Sequence, residues 1–216
     1  MKAPRSLILT ALLIVQTGVS QAAITTFTDR TTWSGNGTVL YTEDFESYVR
    51  DTYFATTPVD VGPFTLSTIG TAAAETNLID VSPFFDPPIP ASFGNAAVDI
   101  FVEGPLMADL AFDNPVSGFF ADFWAAGNTT ELTLTLSLLG GGSADVNVPG
   151  PGNALESFGF FSDTDLITAI RFNNSVNDGF KMDNIAASVV PVPAAVWLFG
   201  TALLGFVGYS RRRKID

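Results

Sequence analysis

Residues 132–138, Leu-Thr-Leu-Thr-Leu-Ser-Leu, decide the fold class of this 216-residue chain. Leucine alternates with a small polar residue throughout, and this period of two predicts a β-strand with one buried face and one solvated face. Residues 140–143, Gly-Gly-Gly-Ser, follow and predict a turn. Because a register slip of one residue would expose every leucine, we expect the four leucines to share one buried face.

Seven further segments have the length and composition of strands and are separated by clusters of Pro, Gly, Asn and Asp. They are Val39–Phe45, Phe64–Ile69, Ala97–Val102, Gly118–Trp124, Ser157–Phe161, Ile167–Phe172 and Met182–Val189. Many short strands at this spacing predict an all-β fold, an antiparallel β-sandwich or jelly roll, over residues 23–188. One short helix is expected after Thr28, with Thr28 as its N-cap and Asp29 in its first turn.

Nineteen phenylalanines lie mostly in or near these strands, and two aromatic groups are dense. The two groups are Phe119, Phe120, Phe123 with Trp124, and Phe158, Phe160 with Phe161. Large aromatic side chains commonly fill the space between two sheets, so we interpret both groups as core. The alternative is a sugar-stacking platform, which would show as two or more exposed coplanar rings.

The chain contains neither cysteine nor histidine. This excludes disulfides, Cys/His zinc sites and thiolate nucleophiles, and it removes the side chain that most often serves as general base. A pair of carboxylates, as in glycoside hydrolysis, is the remaining catalytic route, but the many acidic residues do not single out a pair. We therefore expect a protein that is not an enzyme.

Charge is distributed unevenly along the chain. Six of the ten basic residues lie in the two terminal segments, whereas residues 23–188 contain four basic and 21 acidic residues, a net charge of −17. A surface of this charge attracts cations and repels nucleic acid and anionic lipid. Nucleic acid is therefore excluded as an expected partner.

Residues 1–22 have the composition of a signal peptide that forms a helix. Lys2 and Arg5 make a short basic region, and the apolar stretch from Leu7 to Val19 is too short to cross a bilayer. Small residues precede the expected cleavage point after Ala22, where signal peptidase would cut. The alternative is a retained N-terminal anchor.

Residues 189–216 have the composition of a membrane anchor. Val189 to Tyr209 contains no charged residue, and as a helix these 21 positions would extend roughly 31 Å, the thickness of a bilayer core. A basic cluster follows, which consists of Arg211, Arg212, Arg213 and Lys214. The positive-inside rule places this cluster in the cytoplasm, so the sequence predicts one transmembrane helix with the acidic domain outside.

A proline motif opens this anchor. It consists of Val190, Pro191, Val192, Pro193 and Ala194. Together with the apolar span and the basic tail, the motif resembles a PEP-CTERM sorting signal of the VPLPA-like variant, with Val192 in place of leucine. It departs from the Pro-Glu-Pro form because no glutamate lies between the prolines. The alternative is a plain single-pass anchor.

The PEP-CTERM resemblance implies a route through the cell envelope. It implies an intermediate held in the inner membrane with a periplasmic domain, and recognition by an exosortase-type protease that cuts near the proline motif. It also implies transfer to the cell surface or extracellular matrix of a Gram-negative bacterium, in association with exopolysaccharide and biofilm.

Two acidic motifs lie near the ends of the predicted sandwich. The first is Glu43-Asp44-Phe45-Glu46, and the second surrounds Asp183. Their pairing resembles jelly-roll carbohydrate-binding modules, which implies adjacent first and last strands and a structural Ca²⁺ where they meet. Candidate ligands are Glu43, Asp44, Glu46 and Asp183, because Ca²⁺ prefers carboxylate and carbonyl oxygens. The alternative is a set of solvated carboxylates at strand ends.

The sequence thus predicts an exported, non-catalytic protein of the cell surface or extracellular matrix, sorted by an exosortase-type system. The alternative is a carbohydrate-binding module that holds a polysaccharide. Exposed coplanar aromatic rings would favour the module, whereas rings that all point inward would favour a structural role.

We predict cleavage after Ala22 and a second cut near Val190–Ala194, because both points lie at the edge of an apolar segment. Mass spectrometry of the mature protein measures both ends. A mature chain that still carries the basic cluster from Arg211 to Lys214 would contradict sorting and leave a simple anchor.

Overall fold

The structure is a computed structural model that describes residues 23–81, 91–102, 106–125, 132–149, 155–174 and 178–190. The predicted signal peptide with Ala22 lies outside the described residues. So do the sorting motif from Pro191 onward and the basic cluster Arg211–Lys214. Within the described ranges no helix is long and apolar enough to cross a membrane.

The described chain forms fourteen strands and two short helical segments. The strands are β1 Ile24–Phe27, β2 Thr38–Glu43, β3 Thr52–Tyr53, β4 Val59–Asp60, β5 Phe64–Ile69, β6 Leu78–Asp80, β7 Ala97–Val102, β8 Met107–Val116, β9 Gly118–Ala125, β10 Leu132–Leu138, β11 Ser143–Val148, β12 Leu155–Ser162, β13 Ile167–Asn174 and β14 Asp178–Val189. The helical segments are α1, Arg30–Ser34, and a 3₁₀ helix, Ala91–Phe93.

Two antiparallel sheets form a β-sandwich, as the alternating pattern predicted. The larger sheet has the order β1-β12-β9-β14-β7-β6-β3, with β2 also paired to β14. The smaller sheet has the order β11-β10-β13-β8-β5-β4. One continuous core of buried apolar side chains draws on both sheets.

The leucine strand confirms the prediction made from residues 132–138. Leu132, Leu134 and Leu136 are buried in the main core. Leu138 is half-buried against it, because the register against β13 shifts between Ser137 and Leu138. The strand pairs with β11 through the predicted glycine-rich turn.

Most of the other predicted strands are present with small changes of length. β5 and β7 have the predicted bounds, and the others are displaced at one or both ends. β8 was not predicted, because its small alanines and its Asp113-Asn114-Pro115 end resemble a turn. The last strand extends through Val189, so this residue belongs to the sheet and not to the predicted anchor.

Helix α1 begins one residue later than predicted. Its N-cap is Asp29, which has extended backbone angles and accepts a hydrogen bond from the Thr32 amide at 2.7 Å. The prediction of Thr28 as N-cap was therefore wrong, because the carboxylate of the next residue reaches the free amide of the first turn.

Both aromatic groups are buried, but they are divided between two places. Phe119, Phe123, Phe158 and Phe160 lie in the core between the sheets as predicted, whereas Phe120, Phe161 and Trp124 lie in two smaller clusters outside it. All seven rings of the two groups are buried. Rings on the outer face of the larger sheet are covered as well. Trp33 of α1 packs on Phe120 and Phe161, and Phe93 of the 3₁₀ helix packs on Trp124. The two groups therefore provide no sugar-stacking platform.

Strand β14 changes its neighbour halfway along its length. On one side it pairs with β9, while on the other side it pairs first with β7 over residues 178–182 and then with β2 over residues 185–189. The register against β9 shifts between Asp183 and Ala186, and Asn184 has a positive φ of 51°. This bulge lies where β7 and β2 meet, and it positions the acidic residues of both sequence motifs.

Candidate functional site

Two polar regions lie on or beside the outer face of the larger sheet. We call the first the junction, which consists of Asp44, Glu46, Asp122, Asp183 and Asn184. We call the second the Lys181 pocket, which is lined by Glu75, Asn77, Asp99, Phe101, Trp124 and Lys181 among others. Both regions involve β14, whose residues alternate between the core and the outer face.

The junction brings the two predicted acidic motifs together. Glu43 lies opposite Ile185 in the β2–β14 register, so the first motif continues directly beside the last strand. The negative charges of Asp44 and Glu46 act on Asp183. Glu43 has a different role, since its Oε1 accepts a hydrogen bond from the Phe45 amide at 2.7 Å. Burial raises the pKa of the Glu43 carboxyl.

Asp122 belongs to the junction although the sequence analysis did not select it. It lies on β9 directly opposite Asp183. Its carboxylate accepts hydrogen bonds from Ser157 Oγ at 2.6 Å and from Asn184 Nδ2 at 3.1 Å. The available signal was the alternation along residues 119–123, which places Asp122 on the face opposite Phe119 and Phe123 of the core.

Asp183 is the most perturbed acid of the junction. Its residue surface is 2% exposed, and among the described residues its Oδ1 has no hydrogen-bond partner. Burial, followed by the negative charges of Asp122, Asp44 and Glu46, raises the pKa of Asp183 to about 8. This carboxyl group is therefore mainly protonated at neutral pH.

Arg30 supplies a cation at the edge of the junction. Its guanidinium donates a hydrogen bond to the Asn184 carbonyl oxygen and lies 4.7 Å from the centre of the Phe120 ring. Burial lowers the pKa of Arg30, while the carboxylates of Asp122 and Asp183 oppose this change. The protein thus partly offsets the negative charge of the junction with a side chain of its own.

Glu46 holds the chain that leads into β7. Its Oε1 accepts hydrogen bonds from the Asn95 amide at 2.6 Å and the Ala96 amide at 3.0 Å, and its Oε2 accepts one from Asn95 Nδ2 at 3.0 Å. These three hydrogen bonds lower the pKa of Glu46, and the bond from the Asn95 side chain has the largest effect.

In the part of the chain that the structure describes, no three Asp or Glu side chains are grouped closely enough to hold a metal ion. Calcium binding stays a prediction.

The Lys181 pocket is centred on a buried cation. Lys181 is 1% exposed, and its Nζ lies 3.0 Å from Asp99 Oδ2 and 3.3 Å from Asp80 Oδ2. Burial raises the pKa of Asp99, while the ammonium group of Lys181 opposes this change. The three side chains lie on neighbouring strands, so the ion pairs connect β6, β7 and β14.

The rim of the pocket combines a fixed amide with aromatic rings. Asn77 Oδ1 accepts a hydrogen bond from the Phe101 amide at 2.5 Å, and Asn77 Nδ2 donates one to Thr68 Oγ1 at 2.8 Å. The Phe101 side chain is partly open to solvent, whereas Trp124 is buried beneath Phe93. The pocket has a volume of about 160 Å³.

Comparisons with known proteins identify no family for this chain. No family profile matches it, and no curated protein matches it. Among solved structures, a family 29 carbohydrate-binding module variant complexed with mannohexaose is 14% identical, with 66% of this chain and 94% of that chain covered and a TM-score of 0.42. Another family 29 carbohydrate-binding module is 15% identical, with 66% and 91% covered and a TM-score of 0.41.

The enzymatically active domain of tailspike protein 4 from bacteriophage CBA120 is also similar. It is 21% identical, with 61% of this chain and 20% of that chain covered and a TM-score of 0.35. The strand order and registers of this chain define its β-sandwich.

We predict that Asp183→Asn weakens the pH dependence of stability. The folded pKa of about 8 lies above the unfolded value of about 3.9, so the folded state binds this proton more tightly. The resulting stabilisation is complete below about pH 4 and is lost as the pH rises towards 8. Its size is on the order of a few kcal/mol, and asparagine imitates the protonated carboxyl at every pH.

Urea unfolding of residues 23–190 between pH 5 and pH 9 measures this effect (roughly the range that spans the shifted pKa). Asp163→Asn, at an exposed position, is the control with the same change of charge. Equal pH dependence in the two variants would contradict the buried proton at Asp183.

Proposed function

We propose that this chain is an exported, non-catalytic protein of the cell surface or extracellular matrix, and that its acidic β-sandwich holds a polysaccharide in the Lys181 pocket. The observation that carries the proposal is the pocket itself, in which the partly exposed ring of Phe101 lies beside Asn77, Asp99 and Lys181. A route through signal peptidase and an exosortase-type protease belongs to this proposal and rests on the sequence motifs alone.

The chemistry of the pocket suits a sugar. A pyranose ring has an apolar face of C–H groups and a rim of hydroxyls, so it needs an aromatic contact together with polar acceptors and donors. Phe101 offers an accessible ring, and Asp99 offers a carboxylate whose side chain is 19% exposed. The volume of about 160 Å³ is below the roughly 300–1,000 Å³ of sites for larger ligands, which suits a single sugar unit of a chain.

The position of the pocket supports display from a surface. Both ends of the described domain lie at one pole, because the Asp163 amide donates to the Ala23 carbonyl at 3.3 Å and the Val190 amide donates to Ser117 Oγ at 3.2 Å. Ser117 and Ser162 are joined by a backbone hydrogen bond of 2.8 Å, which connects the two ends.

Lys181 lies nine residues before Val190 along β14, roughly 30 Å away at about 3.3 Å per residue. If the protein were attached at either predicted processing point, the pocket would lie at the end of the domain opposite the attachment. The pocket would then face outward from the membrane or matrix that holds the protein.

We predict that Phe101→Ala weakens polysaccharide binding about tenfold, since the variant removes the accessible ring of the pocket. Affinity electrophoresis with a panel of soluble polysaccharides, including the exopolysaccharide of the producing bacterium, measures the change. Tyr53→Ala is the control, because Tyr53 is exposed but does not line the pocket. If no polysaccharide retards the protein, the sandwich has a structural role instead.

A second candidate function is calcium binding at the junction. The observation in its favour is Asp183 Oδ1, which is buried and has no hydrogen-bond partner among the described residues. Asp44, Glu46 and Asp122 all act electrostatically on this group. Ca²⁺ would require the ionised form of Asp183, so its binding would compete with the proton and become tighter as the pH rises.

We predict that Ca²⁺ raises the thermal stability of residues 23–190 and that Asp183→Asn abolishes the increase. A ligand at a hundredfold its dissociation constant stabilises the folded state by about 2.7 kcal/mol. Unfolding curves with EDTA, Ca²⁺ and Mg²⁺ at matched ionic strength measure this. Coincident curves would exclude a site, and equal stabilisation by both cations would indicate charge screening alone.

A further inference from the structure

The Lys181 pocket contains charges of both signs, but the two signs are not equally accessible. The side chain of Lys181 is 1% exposed and is held by two carboxylates. The side chains of Asp99 and Asp80 are 19% and 15% exposed, and Glu75 on the rim is exposed. A ligand that enters therefore meets carboxylates, while the ammonium group remains behind them.

We infer that the Lys181 pocket selects sugars that carry a protonated amine and rejects sugars that carry a carboxylate. This inference rests on the polysaccharide function proposed above and names the class of sugar. An amino sugar can place its ammonium group near Asp99 or Glu75. A uronic acid would bring a third or fourth carboxylate to the same place, and Lys181 is already paired.

The charge of the whole domain acts in the same direction. Residues 23–188 carry −17, and a field of one sign raises the local concentration of oppositely charged ligands. This long-range effect is screened by salt and does not depend on any one residue. If the pocket itself selects the sugar through direct contacts, removal of a carboxylate from the pocket must change the affinity for that sugar.

The test compares oligosaccharides of equal length by isothermal titration calorimetry with the mature protein. The probes are hexamers of glucosamine, of N-acetylglucosamine and of galacturonic acid, at about pH 6, where amines are protonated and uronates are ionised. We expect the glucosamine hexamer to bind most tightly and the galacturonate hexamer to bind least. Glu75→Gln should weaken glucosamine binding by about two- to fivefold, which is the scale of an exposed ion pair.

Two further variants complete the design. Asp163→Asn removes the same charge from an exposed position at the pole of the termini and should leave binding unchanged. Asp99→Asn should reduce the preference for glucosamine further, and thermal unfolding checks that this variant remains folded, because it also removes a partner of Lys181. Glu75→Gln keeps the test decisive if Asp99→Asn does not fold.

The outcomes separate this inference from the proposed function. If none of these hexamers and none of the soluble polysaccharides binds, the proposed function itself fails. If the N-acetylglucosamine or galacturonate hexamer binds as tightly as the glucosamine hexamer, the function stands and the selectivity is wrong. If Glu75→Gln and Asp163→Asn weaken glucosamine binding equally, the preference reflects the overall charge of the domain and the inference is overturned.

Discussion

The larger sheet depends on the pairing of β14 with three neighbours. β14 is bound to β9 along one edge and to β7 and then β2 along the other, so β2 joins the sheet through the last strand. A bulge at residues 183–184 accommodates the change of neighbour, and Asn184 tolerates the left-handed backbone conformation that it requires. The Asn184 side chain donates to Ser92 and Asp122, which fixes the bulge to the 3₁₀ helix and to β9.

The acidic domain has few basic side chains, and most of them contact oxygen atoms of the protein. Residues 23–188 contain four basic side chains, and three of them contact acidic or carbonyl oxygens on the sheets. Arg171 makes a two-pronged contact with Asp109 at 2.8 and 3.0 Å, Lys181 is held by Asp80 and Asp99, and Arg30 reaches the junction. Because burying a charge without a partner is costly, the buried Lys181 favours the one register that brings Asp80 and Asp99 to it.

The sequence allowed the fold class to be predicted but not the full strand list, Asp122 of the junction or the Lys181 pocket. Strong alternation in residues 132–138 locates β10, whereas β3, β4 and β6 have only two or three residues and give no periodic signal. The approach of Glu43 and Asp183 was predicted by a family resemblance, but Asp122 becomes a partner only through the β9–β14 register. Lys181 was unpredictable as a buried group, because burial of lysine requires Asp80 and Asp99 from strands about 80–100 residues away in sequence.

The junction and the Lys181 pocket are close enough to influence each other. Lys181 and Asp183 are two residues apart on β14, with the core residue Met182 between them, so both side chains lie on the outer face about 7 Å apart along the strand. This separation is shorter than the screening length of about 8 Å at physiological ionic strength. Ionisation of Asp183 makes the electrostatic potential at the pocket more negative. A proton or a bound cation at the junction makes this potential less negative. The charge state of one region therefore changes the electrostatic potential in the other.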